Sequence, residues 1–112
     1  MKKALAKKQE GTAIMIVRAQ TLGKAPEEKT FVLKDGRKLR TVYELIDELE
    51  TMNDSLFNEY ANKTKNDFAN WIRDVFSDRP LADELSKIQS RIDAQRAILK
   101  HVVRELKKLA KQ

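Results

Sequence analysis

The chain has 112 residues, no cysteine, 41% hydrophobic and 36% charged residues, and a formal net charge of +6. That leaves room for one domain with a modest core, and it excludes disulfides, thiolate nucleophiles and zinc sites built on cysteine. The longest apolar run, Ala13 to Val17, falls far short of the roughly 20 residues a membrane span needs, and the opening MKKALAKKQEG does not lead into a signal-peptide core. A soluble, cytoplasmic protein is therefore expected.

Charge is unevenly spread. Up to Arg40 there are eleven Lys/Arg against four Asp/Glu, whereas Thr41 to Tyr60 holds six acids and no base. Basic ends flanking an acidic middle suit a polyanionic partner, because each phosphate neutralised releases condensed counterions. Lysines also serve solubility alone.

In chain order, residues 1–12 read as a basic arm carrying Lys2, Lys3, Lys7 and Lys8 and stopping at Gly11. The run TAIMIVRA reads as a strand, and QTLGKAPEE, with Gly23 and Pro26, as a loop. In KTFVLKDGRKLRT an apolar run meets Asp35-Gly36, a two-residue turn that supplies positive φ, so a β-hairpin is expected. Its return arm brings Lys34, Arg37, Lys38 and Arg40 together.

Thr41 with Glu44 three residues later is a capping box, and Val42, Leu45, Ile46 and Leu49 recur at helical spacing. The acids on its outer face, Glu44, Asp47, Glu48 and Glu50, read as a solvated surface, since one histidine and no EF-hand spacing give little basis for a metal site. A short helix follows, capped by Asn53 or Asp54, with Leu56, Phe57 and Tyr60 turned inward. Asn66 then caps a helix over KNDFANWIRDVF, where Phe68, Trp71, Ile72, Val75 and Phe76 form one apolar face. Aromatics that stack on bases should interleave with cations, and Asp67 and Asp74 sit among these instead. That face is core.

From Leu81 the series Leu81, Leu85, Ile88, Ile92, Gln95, Leu99, Val102, Leu106, Leu109 steps alternately by four and three, a heptad seam with no glycine or proline after Pro80. A continuous helix of about thirty residues would run roughly 45 Å, beyond a globule of about fifty residues some 20 to 25 Å across. A second copy is expected to cover it, through Leu85, Ile88, Ile92, Gln95, Ile98, Leu99, Val102, Val103, Leu106 and Leu109. With Leu85 at a, Arg91 at g and Arg96 at e would oppose each other in a parallel zipper, and Ile98 and Val103 widen the stripe, so an antiparallel or four-helix arrangement fits better. His101 falls at c, an outward position.

From Phe31 to about Leu85, the blocks FVLKDGRKL, TVYELIDELETMNDSLFNEY and KNDFANWIRDVFSDRPLADEL resemble a small, largely archaeal prokaryotic domain family of unknown function. That family combines a DG hairpin, a helix of LxELxxALxxM type and a KNDFANWI block, and often has histidine where Tyr60 stands. The resemblance implies a fold and supplies no catalytic residue.

The fold class is mainly α with a small β-hairpin: an arm (1–12), an α+β body (13–79) and a long amphipathic helix (80–112), assembled as a dimeric helical bundle. One histidine, no GxxxxGK loop and no GxGxxG turn speak against catalysis, cofactors or a small-molecule substrate. The expected function is non-enzymatic: a basic homodimer associated with structured RNA or the ribosome. Its grip would be Lys2, Lys3, Lys7, Lys8, Lys34, Arg37, Lys38, Arg40 and the outer bases Lys100, Arg104, Lys107, Lys108 and Lys111. The alternative is an adaptor whose long helix pairs with a different protein.

Overall fold

A computed structural model describes residues 20–111. The basic arm and the strand expected over 12–19 lie outside them. Two short 3-10 turns, Gln20–Leu22 and Glu27–Lys29, precede strands β1 (Phe31–Val32) and β2 (Lys38–Leu39), then helices α1 (Val42–Thr51), α2 (Asp54–Tyr60), α3 (Asp67–Phe76), α4 (Arg79–Ser86) and α5 (Arg91–Ala110). The described part is thus mostly helical, with one two-stranded antiparallel sheet.

The strands pair Phe31 with Leu39 and Val32 with Lys38. Leu33 N–H donates to Arg37 C=O at 2.8 Å and Gly36 N–H to Leu33 C=O at 2.9 Å. The loop is therefore Lys34-Asp35-Gly36, three residues instead of the two expected, with Gly36 at φ 91° taking the left-handed position that closes such a loop. Alternation turns Phe31, Leu33 and Leu39 inward.

Local capping sets the helix starts. Thr41 Oγ1 accepts from Glu44 N–H at 3.0 Å while the Glu44 carboxylate accepts from Thr41 N–H at 3.1 Å, completing the capping box of α1. Asn53 caps α2 through Leu56 N–H. Asn66 caps α3 through Ala69 N–H, and its amide also donates to Leu85 C=O at 2.9 Å. That buried side chain ties the start of α3 to the end of α4, folding the two helices into an antiparallel pair.

Aromatic rings fill the space between the hairpin and α3. Phe31 stacks on Phe68 with centroids 5.0 Å apart and meets Trp71 edge-on at 5.7 Å; Trp71 in turn meets Phe76 at 5.1 Å. Their polar tips are satisfied: Trp71 Nε1–H donates to Lys29 C=O and Tyr60 Oη accepts from Lys34 N–H. Phe57, Phe68, Trp71, Ile72 and Phe76 are buried, so the aromatic density of KNDFANWIRDVF belongs to the core.

The expected unbroken rod from Leu81 is interrupted. Helix α4 ends at Ser86, and α5 restarts at Arg91 with Ser90 as its cap, accepting from Asp93 N–H at 3.3 Å. The interruption lets α4 bury Leu81, Ala82 and Leu85 while α5 approaches the body along a different line, burying Ala94, Ala97, Ile98, His101 and Val102. Arg91 fixes that approach: its guanidinium donates to Leu49 C=O at 2.6 Å and to Asp54 Oδ1 at 3.0 Å.

Candidate nucleic-acid interface

Helix α5 is 20 residues long, roughly 30 Å, and turns about 100° per residue. Placed on that wheel, its residues form three stripes. Ala94, Ile98, His101, Val102 and the half-buried Glu105 and Leu109 close on the body. Ile92, Leu99, Val103 and Leu106 form a second stripe next to it and are 54, 43, 46 and 45% exposed. Beside them run Arg96, Lys100, Arg104, Lys107 and Lys111, all exposed.

The expected seam is therefore split. Leu85, Ile98 and Val102 lie in the core of their own chain, Ile88 packs against that core, and Leu109 is half-buried. Gln95 does not set a register between copies: its amide donates to Ile46 C=O at 3.1 Å and to Glu50 Oε2 at 2.7 Å within the chain. Arg91, expected to repel a partner's Arg96, is held by the body instead. Of the ten residues expected at a dimer interface, Ile92, Leu99, Val103 and Leu106 remain exposed. The reason is geometric, since a helix offers only one stripe to its own body and the wider apolar surface leaves a second one uncovered.

The cations expected to grip phosphate divide in the same way. In the hairpin, Lys34 pairs with Glu59, Arg37 with Asp35 and with Glu48 through two bonds at 2.9 and 2.6 Å, and Lys38 and Arg40 with Glu27. The Glu48 and Asp35 carboxylates hold the Arg37 guanidinium above its ordinary value, and the hydrogen bonds from Arg37, its backbone N–H first, hold Asp35 below its own. Acids from the second 3-10 turn, the hairpin loop, α1 and α2 thus neutralise the hairpin. On α5, Lys108 lies 3.7 Å from Glu105, whereas among the described residues no ion pair engages Arg96, Lys100, Arg104, Lys107 or Lys111. The helix has two acids, Asp93 in the first turn and Glu105 on the inner side. A shallow groove lined by Leu99, Lys100, Val103 and Arg104 marks where the apolar and basic stripes meet. Lys2, Lys3, Lys7 and Lys8 lie outside the described residues. Arg96 was absent from the expected grip, although its spacing of four from Lys100 signalled it.

His101 corrects the outward position expected for it. It is 7% exposed, with Nε2 2.6 Å from Asp78 Oδ2 and 3.6 Å from Glu105 Oε1. Asp78 is the cap of α4, accepting from Leu81 N–H through Oδ1 at 3.1 Å, and its Oδ2 also accepts from the Thr21 hydroxyl. Burial pushes the Asp78 carboxyl up, but the hydrogen bonds from His101, Thr21 and Leu81 together outweigh it and hold the group below its ordinary value. Asp78 is thus an ionised acceptor at neutral pH, and His101 Nε2–H donates to it.

No family model, curated protein or solved structure matches the chain. No helix among the described residues is long and apolar enough to cross a membrane.

Proposed function

We propose that the chain is a non-enzymatic, nucleic-acid-associated protein that lays the outer face of α5 along a phosphate backbone, and that two copies act together. The observation that carries this reading is the row Arg96, Lys100, Arg104, Lys107 and Lys111, which meets no acid among the described residues while the hairpin cations are neutralised. A row of cations spread along roughly 22 Å of one helix matches a polyanion better than isolated surface lysines do. Structured RNA, the ribosome included, is the preferred target, because a continuous basic row reads backbone shape and carries no side chains arranged for base edges.

The apolar stripe supplies the pairing. A two-fold axis perpendicular to α5 pairs Ile92, Leu99, Val103 and Leu106 of two copies antiparallel and carries both basic rows to the same side. An axis along the helix sends them to opposite sides. Four half-exposed aliphatic side chains make a small contact beside the 1,200 Å² or so of a stable interface, and two like-charged rows repel. Pairing is therefore weak alone and strengthens when a polyanion lies across both rows. Such a dimer could bridge two RNA-rich particles.

The test is fluorescence anisotropy with a labelled RNA hairpin across a salt series, with light scattering on the same samples. Expected are an affinity that falls steeply with salt and a rise in mass towards the dimer when RNA is added. Absence of binding at low salt, with a pull-down that recovers one stoichiometric protein partner, would instead establish the adaptor reading.

A further inference from the structure

From the Asp78, His101 and Glu105 side chains we infer a divalent transition-metal site, of the zinc class, that clamps the start of α4 to the inner face of α5. Their ligand atoms all lie within 4.8 Å of one another. The site stands apart from the outer basic row and does not depend on the function proposed for it.

The donor set is chemically complete for such an ion. One imidazole and two carboxylates make a nitrogen and oxygen set that suits Zn²⁺ in four-coordinate geometry, with water as the fourth ligand. Bonds of about 2.0 to 2.2 Å put neighbouring ligand atoms of a tetrahedral shell roughly 3.3 Å apart. Here Nε2 stands 3.6 Å from Glu105 Oε1 and 2.6 Å from Asp78 Oδ2. The shell assembles when the His101–Asp78 hydrogen bond opens by less than an ångström, the Asp78 and Glu105 oxygens close from a separation of at most 4.8 Å, and Nε2 gives up its proton to solvent while the ring carries one on Nδ1. No helix need move.

The surroundings hold the donors in place. His101 and Glu105 are one turn apart on α5, so their side chains leave the same inner face. Asp78 is anchored through Oδ1 by Leu81 N–H, which leaves Oδ2 as its ligand atom, and the Thr21 hydroxyl orients that oxygen from outside. The His101 and Asp78 side chains are each 9% exposed and that of Glu105 16%, so the three donors are largely shielded from water. Lys108, 3.7 Å from Glu105 Oε2, keeps its side chain largely in solvent and can swing away when the carboxylate turns to a cation. What the ion would supply is cross-linking: a lone hydrogen bond between two helices becomes a three-point attachment.

His101 is the single histidine of the chain, which makes the test direct. Purified full-length protein stripped with chelator is titrated with Zn²⁺ by calorimetry, and the imidazole nitrogens are followed by ¹⁵N NMR. Expected are one Zn²⁺ per chain, imidazole ¹⁵N signals that mark Nε2 as the metal-bound nitrogen and Nδ1 as the protonated one, and affinity at least about tenfold weaker in Glu105→Gln. Glu105→Gln keeps the His101–Asp78 bond, so its metal-free melting temperature should stay within a few degrees of wild type; His101→Gln gives a second loss-of-ligand variant. An imidazole signal that Zn²⁺ leaves unmoved overturns the site even where calorimetry detects binding elsewhere. Equal affinity in wild type and both variants overturns it as well.

Discussion

The hairpin and α5 carry the same kinds of cation and use them differently. Lys34, Arg37, Lys38 and Arg40 stand opposite Glu27, Asp35, Glu48 and Glu59, so their charge is answered within the chain. Arg96, Lys100, Arg104 and Lys107 stand on a helix whose own acids are Asp93 at its start and Glu105 turned inward. A count of basic residues gives both regions equal weight as phosphate ligands. The positions of the acids separate them.

The same division runs through α5 itself, where one side belongs to the core and the other to the surface, and mutations can test each. The largest effect is expected on the inner side: Ile98→Ala, at a fully buried position, should lower unfolding free energy by about 2 to 5 kcal/mol in denaturant titration. Next comes the charge contrast. Lys100→Glu, Arg104→Glu and Lys107→Glu together should weaken RNA binding on the order of a hundredfold at low salt and flatten its salt dependence. Reversal of Lys34, Arg37 and Lys38 should change it far less, and equal losses from both sets would erase the distinction.

A smaller, pH-dependent effect concerns Asp78. Its carboxyl titrates lower folded than unfolded, so the ionised form favours the fold. That contribution is present above the ordinary carboxylate value of 3.8 and is lost as pH falls from there through the folded value. In chelator-treated samples, wild type should be more stable than Asp78→Asn at neutral pH, and the gap should close on acidification below that range. A gap that widens in acid would contradict the assignment. The smallest effect is expected on the outer side: Leu99→Ala should cost a dilute monomer about 0.5 kcal/mol or less, while abolishing the RNA-dependent rise in mass.

Much of the body was legible in its sequence because its signals are local. The Thr41–Glu44 box, the Asn53 and Asn66 caps and the spacing of Phe68, Trp71, Ile72 and Phe76 each determine structure within a few residues, and each stands where expected. The α5 face was harder, because its partners are distant in sequence. A seven-residue repeat fits both the stripe that meets the body and the stripe beside it, since 3.6 residues per turn drift against a strict heptad. The restart of the helix did leave a trace: Ser90 followed three residues later by Asp93 is a capping pattern. His101 could not be placed from its neighbours, because what draws it inward is Asp78, 23 residues away, and Thr21 beyond that. The hairpin loop was misjudged by one residue because Asp-Gly serves both two- and three-residue closures.

Arg91 joins two helix ends that would otherwise be solved separately. The Leu49 carbonyl it reaches lies in the last turn of α1, where backbone oxygens lack partners within the helix, and the arginine itself opens α5. A guanidinium carried by the first residue of one helix therefore finishes another. The acidic helix and the basic one should consequently gain and lose their amide protection against hydrogen exchange together, as one cooperative unit.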